Sequence, residues 1–416
     1  MRRRPLIVIL LLVIVTGAVL MSLMRPEPVA DEVVIPDWNR TLVNSELPAM
    51  DNVVDSFMRF WSLHGVSLAV TRNDSLLYAR GYGMADSQTP MTPGTTMRLA
   101  SVSKLLTAIG IMRLQEQGLL HLDSPVFGPY GILKEYDGLI RDHNYYLITV
   151  EHLLRHQGGF STRGGDVMFQ TLTFMRSHGL TEPPSADEVI RDQVRRPLAF
   201  KPGSWQQYSN FGYLLLSEVI TKASGMPYAE YMQKEVFEPC GCRGFSIAGN
   251  YLEDRQPGES MYFMHPESDQ VPSFDGRYAL VERCYGGNDV TSLQGAGAWI
   301  GSSVELARVI SCVNGFGCVA DILNEESVRQ MTTWYDDDTF ALGWVDCKPD
   351  GEWTRTGSFS GTSAIVKVFP DGECWVLISN TSAWRGSKFT KNTNYLIKNL
   401  RRRFSCALPE QNLFEW

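Results

Sequence analysis

A serine and a lysine three residues apart, Ser101 and Lys104, stand where an extended segment gives way to a long amphipathic helix. Positions i and i+3 of a helix share a face, so the lysine ammonium can reach the serine hydroxyl. A neighbouring amine that accepts the hydroxyl proton would make this weak nucleophile reactive. Average residue usage supplies about one such pair by chance in a chain of this length. The pair therefore predicts nucleophilic chemistry only if other residues support it.

Two further groups supply that support. Tyr208 and Asn210 lie in a turn before a predicted helix, where a phenol can carry a proton and an amide can hold a substrate carbonyl. The run Arg355-Thr356-Gly357-Ser358 ends a predicted strand. It offers a cation, a hydroxyl and an unobstructed backbone edge, which suits a carboxylate or carbonyl beside the nucleophile. Together the three groups make the serine and lysine pair more than an accident.

The elements that must position these groups follow from hydrophobic periodicity. The expected strands are 66–71, 75–80, 339–346, 352–357, 363–369 and 374–380, and the expected flanking helices are 51–63, 102–117, 304–313 and 392–404. Between about 122 and 287, helices at 150–156, 186–195 and 213–224 alternate with loops rich in glycine and proline. Strands thus come from both chain ends around a helical insert, which is an α+β pattern.

The N-terminal segment 1–25 is predicted to be a separate unit. Three arginines, Arg2 to Arg4, precede an uncharged run from Pro5 to Met24, roughly 20 residues, which at about 1.5 Å per residue would span a bilayer core. The positive flank places the N-terminus in the cytoplasm and the rest of the chain outside. An uncleaved signal anchor and a cleaved signal peptide both remain open, and either means export.

The remaining boundaries follow from composition. Residues 26–48 carry four prolines and scattered acids, and are predicted to be a linker. Residues 49–404 are predicted to form one domain, followed by a C-terminal tail, 405–416. The net charge of −8, without a basic stripe interleaved with aromatics, argues against a nucleic-acid partner.

All eight cysteines lie after the predicted export signal, in the part of the chain that would be exported. An even number of cysteines in an oxidising compartment is compatible with disulfides. Two pairings are preferred. Cys347 and Cys374 lie at the ends of two predicted neighbouring strands, and Cys312 and Cys318 bracket a short loop containing glycine. Zinc is less favoured, because the Cys240-Gly241-Cys242 run has no second pair at ligand spacing.

Two histidines at helical spacing, His152 and His156, could together bind zinc. They lack the glutamate of the H-E-x-x-H motif and a third ligand, so packing within a helix end is preferred. No metal and no cofactor is predicted.

The three groups, in this order, resemble the motifs of the serine β-lactamase and penicillin-binding protein superfamily, nearest its class C β-lactamase and related esterase or D-aminopeptidase branch. The middle group has the Y-x-N form. Three further segments are also similar to that branch: TVEHLLRHQGGF at 149–160, FEPCG at 237–241 and GAWIGSSVELAR at 297–308. The resemblance covers roughly residues 51–380 and implies a β-lactamase/transpeptidase-like fold, an antiparallel sheet flanked by helices with an inserted, mainly helical subdomain.

Carried over residue by residue, the resemblance implies roles for the catalytic groups. Ser101 would be the acylated nucleophile, Lys104 its proton partner and Tyr208 the general base and acid. Asn210 would position the substrate. The backbone N–H groups of Ser101 and Ser358 would form the oxyanion hole.

The third motif departs from the family at its first residue. Arg355 and Thr356 would face the substrate carboxylate or its equivalent, and Gly357 completes the motif. The family usually has Lys or His where this chain has Arg355. Arginine keeps the charge but does not readily give up a proton, which weakens a β-lactamase assignment more than a hydrolase assignment. A surface ion pair across strands is the alternative reading of Arg355.

The sequence therefore predicts an exported serine hydrolase that acts through an acyl-enzyme on a small-molecule or peptide ester or amide, such as a small ester or a cell-wall-derived D-amino-acid peptide. The alternatives are a β-lactamase that hydrolyses antibiotics and a non-catalytic penicillin-recognising or scaffold protein. The N-terminal segment would tether the domain to a membrane, facing the periplasm or cell exterior, or be removed on secretion.

Overall fold

The computed structural model describes residues 44–265, 268–334, 340–382 and 387–414. The predicted signal segment 1–25 and most of the predicted linker lie outside these ranges. Within them, no helix combines the length and the apolar character that crossing a membrane requires.

The described chain contains eleven strands. They are β1 (Gly65–Arg72), β2 (Ser75–Gly83), β3 (Met97–Arg98), β4 (Ser246–Ile247), β5 (Val271–Pro272), β6 (Leu280–Val281), β7 (Trp299–Gly301), β8 (Asp346–Cys347), β9 (Trp353–Phe359), β10 (Thr362–Val368) and β11 (Glu373–Ser379). The main sheet is antiparallel and has the order β2-β1-β11-β10-β9-β8, so strands from the two chain ends meet where β1 pairs with β11. A small sheet, β3-β7-β4, and the pair β5-β6 lie apart from it.

The described residues also form ten α-helices. They are α1 (Pro48–Trp61), α2 (Ser103–Glu116), α3 (Val150–Leu154), α4 (Thr171–His178), α5 (Ala186–Gln193), α6 (Asn210–Ser224), α7 (Tyr228–Met232), α8 (Ser303–Ser311), α9 (Glu325–Thr332) and α10 (Ser387–Phe404). Helices α3 to α7 make up the central block that interrupts the sheet-forming parts of the chain. The predicted α+β class, with an antiparallel sheet and an inserted helical region, is confirmed.

Both faces of the main sheet are covered, because β1 alternates its side chains between two apolar layers. Val66, Leu68 and Val70 pack in the layer formed with α1 and α10. Ala69 packs in the opposite layer, which holds α2, α6 and α8. Burial on both faces fixes the sheet register, since a slip by one residue would exchange the two layers.

One predicted strand is wrong in most of its length. The segment predicted as a strand at 339–346 is extended in a ladder only at Asp346 and Cys347, and residue 339 lies outside the described ranges. Gly343 has a φ of +84°, and a Cβ atom on it would lie 2.6 Å from the Ala108 side chain. Close packing on α2 therefore replaces the strand with an irregular segment.

Both predicted disulfides are also wrong, since all eight cysteines are unpaired in the structure. Cys347 lies on β8 and Cys374 on β11, and β9 and β10 stand between them. Three strand spacings of about 4.8 Å exceed the Cα separation that a disulfide can bridge. Cys312 is buried in the apolar core near Cys240, whereas Cys318 is exposed.

Candidate active site

The serine lies in a tight turn between a strand and a helix. Leu99 donates its N–H to the Trp299 carbonyl at 2.8 Å, and the next residue, Ala100, has a φ of +47° in the left-handed region. A left-handed residue other than glycine or asparagine is uncommon and is strained. The chain then makes a 3-10 turn from Ala100 to Val102 and enters α2. The turn leaves Ser101 partly exposed at the start of an otherwise buried helix.

Lys104 is fully buried one turn further on. Its Nζ donates to the Asn210 side-chain oxygen at 2.7 Å, to the Ala296 carbonyl at 2.5 Å and to Ser101 Oγ at 3.3 Å. These three acceptors match the three donors of an ammonium group. Burial lowers the pKa of Lys104 to about 8, with the phenolate charge of Tyr208 opposing that shift.

Tyr208, which lies in the helical insert of the domain, contacts the serine. Its hydroxyl donates to Ser101 Oγ at 2.6 Å. The backbone is fixed directly after it, because the Ser209 hydroxyl caps α6 by accepting from the Gly212 N–H at 3.0 Å. Burial acts to raise the pKa of Tyr208, but the charges of Lys104 and the Arg355 guanidinium outweigh it and lower that pKa to about 8.

His156 braces the tyrosine ring. The two ring centroids are 4.4 Å apart, and His156 Nδ1 accepts from the Ser209 N–H at 3.1 Å. Burial and the neighbouring positive charges hold the pKa of His156 well below its usual range, so the ring is neutral and carries its proton on Nε2. His152 has a different environment, with Nδ1 accepting from the Thr149 N–H at 3.2 Å. Among the described residues, no cluster of potential metal ligands is present.

The sequence did not identify Asp166 as part of this site. Asn210 donates its side-chain N–H to Asp166 Oδ2 at 2.7 Å, which extends the chain of contacts from Lys104. The other carboxylate oxygen accepts from the Met168 N–H at 3.0 Å, so Asp166 also caps a short 3-10 turn. An aspartate after two glycines signals such a cap locally, but nothing in the sequence indicates its contact with a residue 44 positions away.

Arg355 lies behind the nucleophile. The residue is fully buried, with Nε donating to the Ser101 carbonyl at 2.8 Å and Nη2 to the Tyr208 hydroxyl at 3.5 Å. A surface ion pair is therefore wrong for this residue. The guanidinium places a permanent positive charge next to the phenol.

The strand that carries Arg355 presents an open edge to the serine. β8 pairs with β9 only at Trp353 and Thr354, and no other described residue pairs with the rest of β9 on that side. Gly357 lies against the serine turn, where an added Cβ would be 2.3 Å from the Leu99 carbonyl and 2.9 Å from the Ser101 nitrogen. Only glycine allows this approach. Ser358, the next residue, is exposed, and Thr356 is partly buried.

The structure thus brings together residues from four separate parts of the chain. A hydroxyl stands between an ammonium and a phenol whose pKa values are both lowered to about 8, beside an open strand edge. A nucleophile with a nearby proton acceptor and backbone donors at hand is the arrangement that acyl transfer needs.

Comparison of the amino-acid sequence with known proteins finds a matching family and several relatives. A sequence model of the Beta-lactamase family matches residues 50–398. The esterase EstB of Burkholderia gladioli is 32% identical over 256 residues, 60% of this chain and 60% of the esterase. Penicillin-binding protein 4* of Bacillus subtilis is 28% identical over 215 residues, 50% of this chain and 44% of that protein. The matches therefore span about half of each of these relatives.

Structural comparison gives the same fold. The D-amino acid amidase from Ochrobactrum anthropi SV3, in complex with D-phenylalanine, has a TM-score of 0.66 at 19% identity, covering 89% of this chain and 99% of the amidase. The octameric penicillin-binding protein homologue from Pyrococcus abyssi has a TM-score of 0.64 at 22% identity, covering 85% and 78%. At these identities the likeness concerns the fold.

Proposed function

Because the chain belongs to the Beta-lactamase family of serine hydrolases, we propose that it hydrolyses an ester or amide through an acyl-enzyme formed on Ser101. The observation that carries this proposal is the 2.6 Å hydrogen bond from the Tyr208 hydroxyl to Ser101 Oγ. A nucleophile and its proton acceptor within hydrogen-bonding reach are the first requirement for covalent acyl transfer.

In the acylation step, Tyr208 in its phenolate form accepts the Ser101 proton while Oγ bonds to the acyl carbon. Tyr208 then donates that proton to the leaving oxygen or nitrogen as its bond to the acyl carbon breaks. A water molecule then gives a proton to the same phenolate as its oxygen bonds to the acyl carbon. Tyr208 passes that proton to Ser101 Oγ as the bond from Oγ to the acyl carbon breaks, which releases the carboxylic acid and restores the serine. Lys104 stabilises the phenolate electrostatically throughout.

The negative charge that develops on the acyl oxygen needs donors close to the nucleophile. The backbone N–H groups of Ser101 and Ser358 are the proposed oxyanion hole. The absence of a β8 partner beside this part of β9 supports the assignment, because it leaves that strand edge open.

A small ester or a D-amino-acid peptide is the proposed substrate, ahead of a β-lactam. Arg355 supports this order, since an arginine replaces the lysine or histidine usual in the family and is buried behind the serine. The esterase relative gives further support for ester substrates. The proposed location is outside the cytoplasm, tethered by the uncharged run from Pro5 to Met24. A mature N-terminus that begins after Met24 would instead show secretion with cleavage.

Labelling with a fluorophosphonate probe, followed by intact-mass measurement, tests the nucleophile. The wild-type protein is expected to gain one adduct and Ser101→Ala to gain none. Ser204→Ala is the matched control, because Ser204 is an exposed serine on the loop that leads to Tyr208. An unlabelled but folded wild type would reject the assignment and favour a non-catalytic protein, whereas equal labelling of Ser101→Ala would show that another residue is the nucleophile.

A substrate panel tests the class of bond. Turnover is compared for a short-chain nitrophenyl ester, a D-Ala-D-Ala peptide and a chromogenic cephalosporin, each with Ser101→Ala as the blank. The ester or the peptide is expected to be the better substrate. Turnover of the cephalosporin alone would reverse that order and identify a β-lactamase.

A further inference from the structure

A cavity of about 460 Å³ lies on the far side of the loop that carries Asp166. This volume falls in the range of small-molecule sites. The lining residues come mainly from the loop, from α4 and from the end of α5 and the segment after it, and they include Phe160, Arg163, Thr173, Phe174 and Arg196. Ser101 and the other residues of the proposed catalytic site are not among them.

The charge of this lining differs from that of the whole chain. Of the described residues, two arginines and no carboxylate line the cavity, although acids outnumber bases by 46 to 38 in the sequence. Arg196 forms an ion pair with Asp192, with 2.8 Å between Nη2 and Oδ2. The Arg163 guanidinium has no hydrogen bond or ion pair to any described residue, which leaves its donors available.

The remaining wall is partly aromatic. Phe174 is buried against the core and Phe160 is partly buried, and both contribute to the lining. A cation at one side and aromatic rings at another match a ligand with a negative group on an apolar body.

From these features we propose that the cavity binds a small organic anion, with a carboxylate on Arg163 and an apolar body against Phe160 and Phe174. The carboxylic acid that ester or amide hydrolysis releases has this chemistry, and only this choice of natural ligand rests on the proposed function.

The cavity is connected to the catalytic lysine through two residues, Asp166 and Asn210. Gly165 and Val167 both line the cavity, whereas Asp166 between them turns to the opposite side and accepts from Asn210. Asn210 in turn accepts from Lys104. A ligand that contacts the backbone on either side of Asp166 would therefore alter the hydrogen bonds that position Lys104.

Calorimetric titration of the full chain carrying Ser101→Ala tests the site without turnover. Phenylacetate is the probe and phenylacetamide its neutral analogue. Phenylacetate is expected to bind at least tenfold more tightly, and Arg163→Gln to weaken it about tenfold, as the loss of a charge-assisted hydrogen bond predicts. Arg176→Gln is the matched control, because this exposed arginine lies over the Tyr278 ring at 5.2 Å, outside the lining.

A second variant separates this cavity from the catalytic groove. Thr173→Trp, on the exposed side of α4, fills the cavity and is expected to abolish phenylacetate binding while circular dichroism stays unchanged. The proposal is overturned if phenylacetate does not bind, if phenylacetamide binds equally well, or if either Arg163→Gln or Thr173→Trp leaves the affinity unchanged.

Discussion

Replacing Arg355 by glutamine should move the pH dependence of hydrolysis to higher pH. Two cations, Lys104 and Arg355, bring the pKa of Tyr208 down to about 8 from an ordinary 10.0, against the opposing effect of burial. A phenol with a pKa of about 8 is roughly one-tenth ionised at pH 7. The phenolate is the reactive form in the proposed mechanism, so this fraction limits the rate at neutral pH.

The size of the effect follows from the same contacts. Arg355 lowers the pKa of Tyr208 less than Lys104 does, and its removal also lets Lys104 hold its proton more firmly, because the guanidinium lowers the pKa of that lysine. We therefore expect the pKa of Tyr208 to rise by about one unit, which corresponds to about 1.4 kcal/mol. At pH 7, kcat/KM should fall about tenfold.

Steady-state kinetics on a nitrophenyl ester between pH 6 and pH 10 would measure this shift. In the wild type, kcat/KM should rise with pH up to about 8, since deprotonation of Tyr208 creates the base, and fall above it as Lys104, whose pKa is also about 8, loses the charge that stabilises the phenolate. For Arg355→Gln the maximum should lie about one unit higher, because both pKa values rise, and most of the activity should return there, whereas Arg355→Lys, which keeps the charge, should stay near the wild-type maximum. An equal loss at every pH would refute the electrostatic argument and assign Arg355 a purely steric role.

Three further substitutions test separate contacts. Asp166→Ala leaves a buried N–H of Asn210 without its acceptor, so kcat should fall about tenfold with KM little changed, and Asp166→Asn should recover part of it. Gly357→Ala places a Cβ atom 2.3 Å from the Leu99 carbonyl and should abolish fluorophosphonate labelling in a folded protein. Glu373→Gln removes the charge of a buried carboxylate that pairs with the partly exposed Arg72 and should cost about 1.5 kcal/mol in urea unfolding. Wild-type values in any of these assays would contradict the corresponding contact.

Local sequence patterns were sufficient for the elements whose order along the chain matches their order in space. The strands β10 and β11 were predicted to within one residue at each end, because their apolar runs flank a Pro-Asp-Gly turn. The family resemblance rests on short motifs of this kind, and the match over residues 50–398 confirms it.

Features that depend on long-range packing could not be read from the sequence. The sequence predicts Cys347 and Cys374 on neighbouring strands, but strand order in a sheet is not fixed by sequence order. The sequence predicts Arg355 in the site. The contact of its guanidinium with the Ser101 carbonyl, however, depends on how β9 packs against the serine turn. Asp166 carried only a local capping signal, and its partner Asn210 lies on a different element.

The pairing of β1 with β11 has a kinetic consequence for a newly made chain. Val66 pairs with Ser379, so the centre of the sheet joins residues more than 300 positions apart, and the edge that faces Ser101 also belongs to the last part of the chain. Closing such a long loop makes folding slow relative to helix formation. The helix that carries the serine can form early during synthesis, but its reactive surroundings cannot exist until the C-terminal strands have emerged. The hydrolase we propose would therefore be inert on the ribosome and gain its reactivity only as a finished chain.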